Sequence, residues 1–149
     1  MGTLKERLTQ EMREALKAGE KVRLGALRML AASVKNREVE LGHDLSDDEL
    51  VEVATREVKR RKEAAEAFEA GKRPELAAKE REEQGFLETY MPEQLGEEEV
   101  RALVDEALGA TGASGPGDLG KVMGYVMGRA KGKVDGTLVN ALARDRLSG

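Results

Sequence analysis

The chain of 149 residues is long enough for one ordinary domain or two small ones, and its 40% hydrophobic content excludes an intrinsically disordered protein. Aromatic residues make up only 3%, so the core must be built from Leu, Val, Ala and Met, a composition that favours helices over sheets. The absence of Cys excludes disulfides, thiolate metal sites and thiol nucleophiles, and the net charge of −4 argues against a general nucleic-acid-binding protein.

Four helices are predicted before residue 92. The first begins at a capping box from Thr3 to Glu6, and the third begins at another from Ser46 to Glu49. A glycine follows each of the first three helices, as is common at helix C-termini, and Pro74 suits the first turn of the fourth. The predicted helices cover about residues 3–18, 20–41, 46–70 and 74–90.

A domain boundary is predicted at residues 92–96, where Pro92 and Gly96 bracket a short linker. We expect an N-terminal helical domain at residues 1–93 and a small helical tail domain at residues 96–149. No strand-like alternation of any length occurs in the sequence. The predicted fold is therefore all-α with two helical subdomains, an N-terminal four-helix unit and a C-terminal three-helix tail.

Three further helices are expected in the tail. The fifth covers residues 97–108, and the glycine-rich run GATGASGPG that follows is predicted to be a loop. Asp118 is predicted to cap the sixth helix, and Asp135 or Thr137 the seventh.

The sixth predicted helix carries glycines at every fourth position, Gly120, Gly124 and Gly128, which we call the glycine stripe. Each glycine inside a helix costs about 1 kcal/mol relative to alanine, so the stripe gives up roughly 2–3 kcal/mol. Such a cost indicates that something comes close to this backbone. Two compatible interpretations are close packing of another helix within the domain and backbone contact with a ligand.

Basic residues are concentrated at the end of the chain. Residues 96–118 contain one base and six acids, whereas residues 119–149 contain six bases and two acids. After the glycine stripe comes the sequence Arg129-Ala130-Lys131-Gly132-Lys133, and the seventh helix then begins with free amides that suit an anion. This combination predicts contact with a phosphate-bearing partner, although surface solubility is the simpler explanation of the lysines.

Other candidate chemistry has ordinary structural explanations. The only histidine, His43, has no nearby cysteine or second histidine, so neither zinc binding nor general-base catalysis is expected there. Capping and the helix dipole explain the acids that follow Ser46, and the spacing of a phosphate-binding loop of nucleotide hydrolases is absent. We therefore predict no catalytic residue, no metal site and no cofactor.

A basic run lies on the third predicted helix, interleaved with glutamates. Its members are Arg56, Lys59, Arg60, Arg61 and Lys62. The predicted role is a solvated surface of ion pairs, with an RNA-facing or partner-facing surface as the alternative.

Neither a secretory apolar run nor a stretch of about 20 apolar residues occurs in the sequence. The simplest interpretation is a cytoplasmic protein with no membrane partner.

Five ordered segments of the chain form a specific pattern. They are KVRLGALRMLAASVKNREVE (21–40), LSDDEL (45–50), EVKRRKEAAEAFEAGKRPELAAKE (57–80), ETYMPEQL (88–95) and DLGKVMGYVMGRAKGKVDGTLVNALARDRL (118–147). With these segments the chain resembles the GatB/YqeY family, and specifically its stand-alone YqeY-like proteins, from about Leu4 to Leu147. The resemblance implies a two-part helical fold and kinship with the C-terminal helical and tail domains of the B subunit of tRNA-dependent amidotransferases.

Those amidotransferases are carbon–nitrogen ligases that use glutamine-derived ammonia, and their tail domain is understood to hold the elbow of tRNA. The resemblance therefore implies tRNA as a partner, and amidotransferase or other translation proteins as further partners. Nothing in this chain corresponds to the catalytic cradle of the B subunit, so we do not expect it to catalyse amidation alone. The positions expected to contact RNA are Lys121, Gly124, Arg129, Lys131, Gly132, Lys133, Asn140 and Arg144.

Three hypotheses for the function follow. The leading one is a non-catalytic tRNA-binding or tRNA-associated accessory protein, which recognises a structured RNA by its backbone because aromatic residues for base stacking are few. The second is a protein–protein adaptor that docks a partner helix on the glycine stripe. The third is a free-standing amidotransferase, which would need a metal or ATP site that the sequence does not reveal.

Overall fold

The computed structural model describes residues 2–148, and this part of the chain is helical without any strand. The helices are α1 (Leu4–Ala18), α2 (Lys21–Leu41), α3 (Asp47–Ala70), α4 (Pro74–Glu88), α5 (Glu97–Thr111), α6 (Leu119–Arg129) and α7 (Gly136–Ser148), with a short 3-10 turn at Pro116–Asp118. The prediction of an all-α fold is confirmed. The chain divides between Met91 and Pro92 into two compact units, which we call the N-terminal unit and the C-terminal unit.

Local capping signals determine where the helices of the N-terminal unit begin. The capping box at the start of α3 forms in full. The Ser46 hydroxyl accepts a hydrogen bond from the Glu49 amide, and the Glu49 carboxylate accepts one from the Ser46 amide. At α1 only half of the predicted box forms, with the Thr3 hydroxyl accepting the Glu6 amide. The helices enclose one apolar core whose largest buried members are Leu27, Leu30, Leu50, Leu87 and Tyr90.

The end of α4 differs from the predicted end at Tyr90. The helix stops at Glu88, and the amides of Tyr90 and Met91 bond to carbonyls only three residues back, in a tightened turn before Pro92. This turn buries the Tyr90 ring and lets its hydroxyl donate to Glu11. The Arg7 guanidinium lies over the same ring, 4.3 Å from its centroid, so Tyr90 fastens the end of the N-terminal unit to α1.

One cation of the basic run on α3 is buried, which corrects the prediction of a surface of ion pairs. The Arg61 side chain is 4% exposed and pairs with Glu57, while its Nε lies 3.7 Å from the Glu83 carboxylate of α4. Ser33 of α2 donates to Glu57 at 2.6 Å. Burial raises the pKa of the Glu83 carboxyl above its ordinary value. Arg61 therefore pairs with acids inside the packed helices rather than with solvent, although its Nε makes no hydrogen bond in residues 2–148.

The C-terminal unit has its own core, formed by valines of α5, α6 and α7. Its fully buried members include Val100, Val104, Val122, Val126 and Val139. The α5 helix continues to Thr111, one turn beyond the predicted end, so the first residues of the predicted loop are helical. Gly112 then ends the helix in the left-handed conformation with a φ of +69°.

Asp118 does not cap α6 as predicted. Its carboxylate instead accepts the amides of Ser114 and Gly115 in the preceding loop, and these hydrogen bonds lower the pKa of the Asp118 carboxyl. The backbone enters α6 directly from the 3-10 turn. Asp118 therefore fixes the loop between α5 and α6 and leaves the start of α6 without a side-chain cap.

Candidate nucleic-acid interface

The segment between α6 and α7 forms a tight turn, which we call the basic turn (Arg129–Lys133). The Lys133 amide donates to the Ala130 carbonyl at 2.9 Å, and Gly132 adopts a φ of +79° that a side chain would strain. The buried Val134 side chain then anchors the chain to the core of the C-terminal unit. The turn therefore presents its lysines from a fixed backbone.

The segment that precedes α5 forms hydrogen bonds with the basic turn. The Leu95 amide donates to the Lys133 carbonyl at 2.8 Å, and the Gln94 side-chain amide donates to the Gly132 carbonyl at 2.7 Å. The segment that the sequence predicts as a linker thus supports the turn through two backbone carbonyls. The sequence did not identify Gln94, because this contact joins residues 38 positions apart.

Three cations project from the basic turn without an acidic partner. Arg129, Lys131 and Lys133 are exposed, and none of them lies within 4 Å of a carboxylate in residues 2–148. Arg129 lies over the Tyr125 ring, 4.7 Å from its centroid, which orients the guanidinium while its charge stays free. Sequence reasoning missed Tyr125, although its spacing of four residues from Arg129 on a helix is a usable signal.

The remaining predicted positions differ in their surroundings. Lys121 pairs with Asp118 at 3.5 Å, so part of its charge is compensated within the chain. Arg144 is exposed one helical turn after the half-buried Asn140, on the same side of α7. Arg146, a further base of this tail, pairs with Asp105 of α5. In residues 2–148 the cations of the basic turn and Arg144 therefore have no carboxylate within 4 Å, whereas Lys121 and Arg146 are paired.

The start of α7 carries an anion of its own. The Asp135 carboxylate accepts the Thr137 amide at 2.9 Å, and the Asp135 carbonyl accepts the Val139 amide. Of the two predicted caps, Asp135 is therefore the one that caps α7. Because this carboxylate already occupies one of the amides on which the predicted anion site depended, the cations of the basic turn become the main attraction for an external phosphate.

An acidic rim faces the basic turn across a shallow groove. The groove is lined by Leu95, Glu99, Ala102, Leu103, Glu106, Arg129, Ala130 and Lys133. The two glutamates repel phosphate, so the groove beside Arg129 and Lys133 disfavours an anionic ligand.

The glycine stripe lies on the exposed side of α6. A Cβ atom placed on Gly120, Gly124 or Gly128 would meet no neighbouring atom within 4 Å. The interpretation that these glycines admit a close-packed helix of the same domain is therefore wrong. Within residues 2–148 the stripe is open to solvent or to another molecule.

Other kinds of site are not formed by the described residues. Between residues 2 and 148, no group of three or more His, Asp and Glu side chains is arranged to hold a metal ion. None of the helices in this range is both long and apolar enough to span a bilayer.

The profile of the YqeY-like protein family matches residues 5–147 of this chain. The chain belongs to the YqeY-like family. A relative from Pyrenophora tritici-repentis, named "Altered inheritance of mitochondria protein 41, mitochondrial", is 29% identical over 129 residues, which cover 85% of this chain and 71% of the relative. Proteins of the same name from two strains of Saccharomyces cerevisiae are 28% identical over 85 residues, which cover 56% of this chain and 46% of each relative.

The prediction of a cytoplasmic location is wrong on this finding, because these relatives are named as mitochondrial proteins. That prediction depended on the lack of an apolar secretory run, which distinguishes secreted proteins from others. It does not distinguish one aqueous compartment from another. Sequence composition alone therefore does not distinguish a cytoplasmic from a mitochondrial location.

Proposed function

We propose that this YqeY-like protein is a non-catalytic accessory protein that binds tRNA through its basic turn. The observation that carries the proposal is the set of three exposed cations, Arg129, Lys131 and Lys133, that have no carboxylate within 4 Å in residues 2–148. An unpaired cation on a fixed backbone contributes more binding free energy to a phosphate contact than a cation that must first break an ion pair with an acid.

The side chains at the basic turn indicate which kind of RNA it would bind. Lysine and arginine side chains contact phosphates, and phosphate contacts position a protein without reading bases. Arg129 covers one face of the Tyr125 ring, and the ring is partly buried against the core of the C-terminal unit, so it offers little surface for base stacking. A folded RNA recognised by the shape of its backbone, as in tRNA, suits this surface better than a single strand. The proposed kinship with the tail domain of amidotransferases points to the same partner.

Replacing Lys131 and Lys133 together by alanine is expected to weaken tRNA binding by about ten-fold at low salt, because two phosphate contacts are lost. The slope of log K against log of salt concentration should become less steep by about 2. Filter binding with unmodified tRNA across a series of salt concentrations measures both quantities.

Two control variants make this experiment specific. The pair Lys17→Ala and Lys79→Ala removes the same net charge from exposed positions on α1 and α4 and should leave the slope unchanged. Asp135→Asn keeps a good helix cap but removes a negative charge beside the turn, so it should bind at least as tightly as the native protein. A salt-independent affinity, or equal losses in the two lysine pairs, would contradict tRNA binding at the basic turn.

A protein–protein adaptor is the second candidate, favoured by the open space around the glycine stripe. We propose for this case that a partner helix lies on α6, where the missing side chains permit close approach of two backbones. Gly124→Leu would then abolish co-purification of the partner, whereas the Lys131→Ala, Lys133→Ala protein would retain it. The opposite pattern, with RNA lost from the lysine variant, would favour tRNA binding.

A further inference from the structure

The Met29 residue is largely exposed to solvent, and its sulfur contacts the buried Arg61. Met29 lies on α2 and is 51% exposed, whereas Arg61 is 4% exposed. The Arg61 Nη2 donates a hydrogen bond to the Met29 Sδ at 3.2 Å. The methionines at 12, 91, 123 and 127 are all partly buried against an apolar core. Among residues 2–148, Met29 is therefore the methionine most accessible to a dissolved oxidant.

The contact with Arg61 makes the two faces of the Met29 sulfur different. A thioether sulfur has two non-bonding electron pairs, and oxidation at one or the other gives the two epimers of methionine sulfoxide. The guanidinium occupies one pair, so only the other is free to react. We propose that Met29 is a reversible oxidation site at which hydrogen peroxide forms predominantly one sulfoxide epimer.

The reaction balances with peroxide as its only co-reactant. The free electron pair of Sδ attacks one peroxide oxygen, the O–O bond breaks and an S–O bond forms. The other oxygen leaves as hydroxide and takes the proton released from the transferred oxygen, which gives water. Sulfur loses two electrons and peroxide gains them. Reduction back to the thioether belongs to the methionine sulfoxide reductases, which comprise one class for each epimer.

The fold tolerates this change because different nitrogens of Arg61 serve its two partners. Nη1 pairs with Glu57, while Nη2 contacts Met29. The new oxygen adds to the face of the sulfur that Arg61 does not contact, so the buried pair of Arg61 and Glu57 stays in place. The oxidised N-terminal unit should therefore keep its helical content and its cooperative unfolding.

Peptide mapping by mass spectrometry after peroxide treatment of the native 149-residue chain tests the proposal. Met29 should oxidise at least about ten-fold faster than Met12 or Met123, and one class of sulfoxide reductase should remove nearly all of the modification while the other removes little. The same treatment in concentrated guanidinium chloride is the reference, in which all methionines should react at similar rates and give both epimers. Similar rates in the native protein, or equal action of the two reductase classes, would overturn the proposal.

The role of Arg61 can be tested without a variant that risks unfolding. The ¹⁵N resonances of its guanidinium should shift when Met29 is oxidised and should return after reduction. Met29→Leu should remove the fast phase of oxidation, and Arg60→Ala, which leaves Arg61 in place, should preserve both the rate and the epimer preference. Unchanged Arg61 resonances on oxidation would refute its contact with the reacting sulfur.

Discussion

Replacing Arg61 by alanine is expected to lower the free energy of unfolding of the N-terminal unit by about 3–5 kcal/mol, the usual loss when one member of a buried ion pair is removed. The Glu57 carboxylate is only 6% exposed and would lose its buried cation, and the desolvated Glu83 would lose the positive charge 3.7 Å away. Such a loss is a large part of the stability of a small domain. Urea denaturation at neutral pH, followed by circular dichroism, measures it.

Arg60→Ala is the matched control for this prediction. Arg60 is the next residue on α3 and contacts the same Glu57 carboxylate at 3.3 Å, but its side chain is 73% exposed. An ion pair with a solvated partner contributes at most about 1 kcal/mol, so this variant should unfold close to the native protein. Equal losses for Arg60→Ala and Arg61→Ala would show that burial does not decide the strength of these two pairs.

The helices were predictable because their signals are local. The Ser46 capping box and the left-handed glycine that ends α2, Gly42, depend on residues only a few positions apart. The ends of α4 and α5 were not predicted well. The tightened turn after α4 places Tyr90 against Glu11 of α1, a contact between residues 79 positions apart that no local signal reports.

The sequence also contains a signal for the cation of the basic run that faces inward. Leu50, Val53, Glu57 and Arg61 fall on one side of α3, at intervals of three or four residues. This pattern places the glutamate and the arginine on the apolar face as a potential buried pair. Composition of the run alone suggests a solvated surface, and the period of the helix contradicts it.

The cations of the candidate site could be identified from charge, but their availability could be predicted only in part. Asp118 lies three residues before Lys121, a spacing that predicts their ion pair on a helix. Asp135 follows Lys131 by four residues, yet in residues 2–148 no carboxylate lies within 4 Å of Lys131. The support from Gln94 depends on how distant segments meet in three dimensions. Sequence analysis therefore finds the charges, and packing determines which of them can bind a phosphate.

Replacing Gly120, Gly124 and Gly128 together by alanine is expected to raise the free energy of unfolding of the C-terminal unit by about 2–3 kcal/mol. None of the three has a positive φ, and in residues 2–148 the added methyl groups would meet no atom within 4 Å apart from the chain neighbours and the backbone of α6 itself, so alanine brings helix propensity without strain. In a unit of this size the melting temperature should rise by more than about 8 °C. Thermal denaturation of the 149-residue chain measures the shift in the transition of this unit.

Gly132→Ala is the control of opposite sign, because that glycine has a φ of +79° and alanine there should cost about 1–2 kcal/mol. Failure of the triple alanine protein to gain stability would mean that the stripe is covered in solution. A gain would mean that the C-terminal unit carries three destabilising residues which its own packing does not need. Measuring tRNA binding and partner co-purification with the triple alanine protein then separates the two candidate activities. If the stabilised protein still binds tRNA but loses a protein partner, the glycine stripe is the docking surface and the basic turn is the RNA-binding surface.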